Sequence, residues 1–298
     1  MHGFVPIKQV VSDTIEQIKE RKENERGVTG LQTGFIDLDW KTTGFHKGDF
    51  ILLAGRPSMG CTSLMLQIAN QVATYQQKRV LYFHLELPKE IMAKRLISQE
   101  AMVEYADLFK GKLTESEWEK VLQGAERVKH SQLIIDDTPL LSINELQEKC
   151  RKHQKEQKVE LVIIDYIQLV RGIERGKKLS RKQELDVIAR GLRELAVELN
   201  VPIIALSILP RSVERRSNHR PTLRDLDENV ALAREADIVL FLYRDAYYRF
   251  NTDFKDLAEI MVARNRYGEC GTVELKWLSK CMKYENPQLN CKLFINKN

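Results

Sequence analysis

The segment that most constrains the fold is residues 55–62, GRPSMGCT, which lie between an apolar run, FILLAG at 50–55, and a helix-like run, SLMLQIANQVATYQ at 63–76. A strand that turns through two glycines straight into a helix builds a concave backbone cradle. Gly55 and Gly60 let the chain wrap so that N–H groups and the helix N-terminus face an anion. The spacing matches the phosphate-loop pattern GxxxxGK[ST] at every position except the lysine, which is Cys61. Candidate nucleotide contacts are Gly55, Ser58, Gly60, Cys61, Thr62 and Ser63, with the Thr62 hydroxyl available to magnesium. The lysine's absence removes the cation that bridges the outer phosphates. Loss of one such contact typically costs about 3 kcal/mol or more, at least ~100-fold in rate, so hydrolysis is in doubt more than binding. The competing reading is an ordinary glycine turn, and the position between strand and helix argues against it.

The same alternation continues downstream. Apolar runs at 79–86, 132–137, 159–165, 202–207 and 236–243 read as strands, and helical stretches at 88–101, 115–129, 143–157 and 184–199 separate most of them. Continuous Val/Ile/Leu strands between helices predict an α/β fold with a mostly parallel twisted sheet covered on both faces. The runs at 259–266 and 271–278 alternate instead and are joined around Gly268, which predicts an antiparallel hairpin at one edge. Two carboxylates sit at expected strand ends. Asp165 closes LVIID, where it could hold magnesium directly or through water, and Glu86 closes LYFHLE, where it could polarise an attacking water. Either acid could instead cap the segment that follows it.

Residues 7–24 carry Ile7, Val10, Val11, Ile15 and Ile18 at helical spacing, an amphipathic helix whose stripe needs either a neighbouring subunit or its own domain. The predicted organisation is a linker or docking helix over 1–26, one large domain over 27–278, and a tail or extra strand over 279–298. The net charge of +5, from 47 basic and 42 acidic residues, names no partner by itself. Two loops concentrate it. Arg171, Arg175, Lys177, Lys178 and Arg181 fall in 171–182, and Arg211, Arg215, Arg216 and Arg220 in 211–224. Such clusters suit sequence-independent phosphate contact with nucleic acid, or are simply solvated loops. The five scattered cysteines form no CxxC pair, so neither a disulfide framework nor a zinc site is expected and a reducing cytoplasm is the default. No apolar run approaches the ~20 residues of a membrane span, and no signal-peptide core opens the chain.

GRPSMG, FHLELP, VIIDYIQL, ELNVPIIALS, the RP...RDL segment at 220–226, EADIVLFLYRD and the closing hairpin together resemble the RecA-like motor domain of DnaB-type replicative DNA helicases, in order and at similar spacing. The resemblance implies a RecA-like P-loop fold, ATP and magnesium as ligands, single-stranded DNA as a partner, and either a homo-hexameric ring or a mixed assembly with a replicative helicase. It implies Thr62 as the magnesium-site hydroxyl, Glu86 as catalytic base and Asp165 as the magnesium-associated acid. It also implies Arg266, in ARNRYG, as an arginine finger serving a neighbouring subunit, with Arg264 beside it; on the hairpin sequence alone both would be solvated surface arginines.

Three positions depart from that family pattern. Cys61 replaces the lysine. Ile208 stands where a glutamine would sense the γ-phosphate, and it has no donor for the task. The DNA-gripping loop, RESG in the family, aligns with DENV at 227–230, where an acid replaces a base and a β-branched residue replaces glycine. Joint loss at three sites predicts a relative with impaired hydrolysis and translocation, against the alternative of an active ring helicase.

Overall fold

The computed structural model describes residues 4–23, 27–173, 178–249 and 251–287, with 17, 20, 21, 23 and 227–229 described by backbone alone. In chain order the strands are β1 Phe50–Gly55, β2 Val80–His84, β3 Leu133–Asp136, β4 Leu161–Asp165, β5 Ile203–Ile208, β6 Ile238–Tyr243, β7 Leu257–Asn265, β8 Gly271–Leu278 and β9 Lys283–Glu285. They form one sheet in the order β3-β2-β4-β5-β1-β6-β7-β8-β9. Pairing is parallel from β3 to β6 and antiparallel from β6 through β9. This is the mostly parallel sheet with an antiparallel edge that the run of strands implies.

The helices are α1 Ile7–Glu23, α2 Ile36–Thr42, α3 Cys61–Asn70, α4 Lys89–Ala101, α5 Tyr105–Lys110, α6 Glu115–Lys129, α7 Ile143–Glu156, α8 Arg181–Leu199, α9 Val230–Glu235 and α10 Asp245–Tyr248. The pleat divides each strand between two cores. On β1, Ile51 and Leu53 pack with Leu64 and Leu66 of α3 and Met92 of α4. Phe50, Leu52 and Ala54 pack on the other side with Leu146 of α7, Leu192 of α8 and Leu232 of α9. All six residues of β1 are buried, so a run without polar alternation is what a strand covered on both faces requires.

Several boundaries differ from the sequence reading, for local reasons. Helix α8 begins at Arg181 rather than 184 because Ser180 and Gln183 form a capping box. The same device starts α6 at Thr114 and α7 at Ser142. Helix α3 starts at Cys61 and passes at Gln71–Tyr75 into one turn of π-helix. Strand β2 stops at His84, two residues short of Glu86, because the His84 ring nitrogen accepts the Leu87 N–H and turns the chain. In the C-terminal segment, Lys283–Glu285 pairs with β8 as an extra strand, and its Tyr284 is fully buried. The segment aligned with the DNA-gripping loop is helical: a 3-10 helix over Leu223–Asn229 runs into α9.

The apolar stripe of α1 does not pack on its own domain. Ile7, Val10, Val11, Ile15 and Ile18 are all exposed. Among the described residues, no helix is long and apolar enough to cross a membrane.

Candidate nucleotide site

The C-terminal ends of β1, β2, β4 and β5 meet at a cavity of about 680 Å³ lined by the phosphate loop together with Glu86, Arg95, Asp165, Tyr166, Ile208 and Trp277. Ligand sites in open α/β sheets fall at this edge of the strands. The sheet register explains the gathering of the acids: β2 pairs with β4, and His84 lies opposite Asp165. The structure thus brings together Gly55, Ser58, Gly60, Cys61, Thr62, Ser63, Glu86 and Asp165.

Two glycines of the loop are required by what surrounds them. A Cβ on Gly55 would collide with Cys61 Sγ, and one on Gly60, whose φ is +94°, would collide with the Tyr284 hydroxyl. Tyr284 donates that hydroxyl to the Met59 carbonyl at 2.9 Å. Arg244, which follows β6, donates to the carbonyls of Ser58 and Met59 at 2.7 and 2.9 Å and stacks over the Trp277 ring at 4.7 Å. The loop is therefore held from outside by the β6 end and the β8–β9 edge. Its own Arg56 pairs with Glu214 at 2.8 Å.

Cys61 begins α3 and is buried. Burial, with the nearby Asp165 carboxylate second, pushes its thiol up to about 12. It is a neutral side chain at pH 7 and offers phosphate no charge.

Asp165 is also buried. It accepts hydrogen bonds from the Tyr82 hydroxyl at 2.9 Å and from the Thr62 side chain, while its Oδ1 has no protein partner. Burial raises its carboxyl above the usual range, opposed by His84, Tyr82 and Thr62. His84 Nε2 lies 3.5 Å from Asp165 Oδ2 and makes no hydrogen bond. Burial holds this imidazole below its ordinary value, so near neutral pH the pair is a contact between a carboxylate and an uncharged ring.

Ile208 lines the cavity as expected. Gln168 brackets it, accepting from the Ile208 N–H at 3.2 Å and donating to the Ile208 carbonyl at 3.1 Å.

Arg264 and Arg266 lie elsewhere. Asn265 pairs with Ile238, the first residue of β6, so both arginines sit at the N-terminal edge of the parallel strands, opposite this cavity. Arg266 pairs with the buried carboxylate of Asp237 at 2.6 Å, and Arg264 donates to the Ala233 carbonyl at 2.8 Å. They are anchored rather than simply solvated, and neither can reach the phosphate loop of its own chain.

The two basic loops follow β4 and β5, on the cavity's edge of the sheet, but they carry fewer unpaired cations than the sequence count suggests. Arg181 pairs with Glu184 at 2.7 Å, Arg216 with Asp225 at 2.9 Å, and Arg220 with Glu259 while lying over the Tyr243 ring. Arg171, Lys178, Arg211 and Arg215 are exposed. The span Arg211–Arg215 forms a 3-10 turn rather than a structureless loop. Arg175 and Lys177 lie outside the described residues.

Sequence reading missed Arg95, Arg244, Trp277 and Tyr284 because they reach the cavity from distant elements. Only Arg244 carried a local signal, a basic residue directly after a buried strand.

Comparison with known proteins agrees with this geometry. The model of the DnaB-like helicase C-terminal domain matches residues 30–286, and the chain belongs to that family. The replicative DNA helicase DnaB of Geobacillus stearothermophilus is 38% identical over 284 residues, covering 95% of this chain and 62% of that protein. The replicative DNA helicase DnaC of Bacillus subtilis (strain 168) is 39% identical with the same coverage. The chain thus spans less than two thirds of the length of these relatives. Among solved structures, a free-standing ATPase domain superposes with a TM-score of 0.89 at 31% identity, covering 95% of this chain and 99% of that one. A DnaB-like replicative helicase, studied for its interactions with primase, gives 0.85 at 31% identity, covering 96% of this chain and 67% of that one. The RecA-like fold expected from the motifs is the fold of the chain.

Proposed function

We propose that this chain is a helicase-type motor domain of DNA replication that binds a nucleoside triphosphate with magnesium but hydrolyses it poorly. The observation that carries this reading is Cys61, a buried neutral thiol at the lysine position of an otherwise complete phosphate loop. The rest of the cavity fits the ligand pair. Gly55 and Gly60 keep the loop backbone open to phosphate, and the Asp165 Oδ1 atom without a protein partner beside Thr62 is a donor set suited to a hard cation. Thr62 and Asp165 would hold magnesium, which neutralises charge on the outer phosphates when bound. Glu86 would orient the attacking water. Cys61 contributes no charge and Ile208 no donor, so two electrostatic aids to transfer are missing.

The position of Arg264 and Arg266 supports an oligomer. At the sheet edge opposite their own cavity they could act only on the nucleotide of another molecule, in a homo-hexameric ring or in a mixed ring with a replicative helicase. The exposed stripe of α1 gives such an assembly a further contact. Single-stranded DNA would run along Arg171, Lys178, Arg211 and Arg215, with backbone contacts that carry no sequence preference.

The second reading is an active ring helicase, favoured by the preserved Glu86, Thr62 and Asp165. ATP turnover with and without single-stranded DNA separates the two. Low turnover that DNA fails to stimulate is expected; brisk DNA-stimulated turnover, lost in Glu86→Gln, would establish the active helicase instead.

A further inference from the structure

Arg95 lies on α4 and lines the cavity with Cys61, Glu86 and Asp165. The helix face that carries it is fixed over the start of α3. Gln99, one turn on and on the same face, donates to the Ser63 and Met282 carbonyls at 3.3 and 2.7 Å. Arg95 Nε is buried without a hydrogen-bond partner. The other arginines near the loop are committed: Arg56 to Glu214, Arg244 to the Ser58 and Met59 carbonyls. A guanidinium held against a cavity with a buried donor unspent is costly unless something completes it, and phosphate oxygens match its planar fork.

We propose that Arg95 is the phosphate-facing cation of this cavity, supplying from α4 the charge that Cys61 cannot supply from the loop, and that it makes the site favour a nucleoside triphosphate over a diphosphate. The assignment rests on the nucleotide reading above. It places the cation across the cavity from the loop, where it meets the outer phosphate rather than bridging two.

The test is equilibrium displacement of a fluorescent ADP analogue by magnesium–ATP and by magnesium–ADP, using the full chain. Wild type is expected to bind both, ATP more tightly. Arg95→Gln should weaken ATP by about tenfold or more and ADP by less than about threefold, the size expected for one charge-assisted contact. Arg95→Lys, which keeps charge and loses the fork, should fall between and reports even where the glutamine variant folds poorly. Adding Cys61→Lys to Arg95→Gln should restore ATP preference, which a merely structural arginine would not allow. An unchanged ATP-to-ADP ratio in Arg95→Gln, or equal loss of both nucleotides, overturns the assignment alone. Wild type that binds neither nucleotide overturns the nucleotide reading and the assignment with it.

Discussion

Arg56 of the phosphate loop and Glu214 of the basic segment after β5 form an ion pair at 2.8 Å, so the two regions expected to meet nucleotide and DNA are joined through one side-chain contact. Arg56 is only 9% exposed and also donates to the Leu209 carbonyl. Glu214→Ala would leave that guanidinium half-satisfied in a nearly dry place. The expected cost is about 1–2 kcal/mol in denaturant unfolding, above the usual yield of a surface pair. Glu214→Gln, which keeps an acceptor, should cost less; equal loss in both would argue against a directed contact.

Cys61 should be chemically inert. With its thiol pushed up to about 12, the thiolate fraction at pH 8 is on the order of 10⁻⁴, and nucleophilic labelling follows the thiolate. Alkylation followed by peptide mass mapping should modify the exposed Cys270 rapidly and leave Cys61 untouched in the folded chain. Fast modification of Cys61 would mean that the loop is open or the thiol ionised.

Asp165 sets a pH dependence whose sign differs from that of most carboxylates. Its folded value is raised by burial, so between the ordinary value of 3.8 and the raised one the native state binds more protons than the unfolded chain. Stability therefore falls as pH rises through that window. Asp165→Asn removes the buried charge, so without magnesium the variant should melt higher than wild type at pH 7, and the two should converge in acid. A lower melting temperature at pH 7 would show that the bonds from Tyr82 and Thr62 outweigh the burial cost.

On α1, Val11 and Ile15 are about half exposed, so Ile15→Asp should change unfolding free energy by no more than ~0.5 kcal/mol. If the stripe is an assembly contact, the same substitution should shift the particle mass in solution toward the monomer. A destabilised monomer would mean that α1 folds back onto its own domain.

The parallel core was legible because strands buried on both faces must be apolar throughout, as 50–55 and 161–164 are. The cradle was legible because its residues are contiguous. Glu86 and Asp165 were found as strand ends, but their meeting depends on β2 pairing with β4, a register that no local pattern encodes. Arg95 and Arg244 were not found, since each comes from a separate helix or strand end and acts through tertiary approach alone. Counting basic residues overstated the free charge of both loops, because the partners of Arg216 and Arg220, Asp225 and Glu259, lie further along the chain.

The central claim is that loss at Cys61 and Ile208, in an otherwise intact cavity, limits ATP hydrolysis. The most direct test is steady-state ATP turnover of wild type beside the double variant Cys61→Lys/Ile208→Gln, each with and without single-stranded DNA. Low turnover in wild type and a rise of about 100-fold or more in the double variant is the expected result. Brisk turnover in wild type, or no rise in a double variant shown to bind nucleotide, would contradict it.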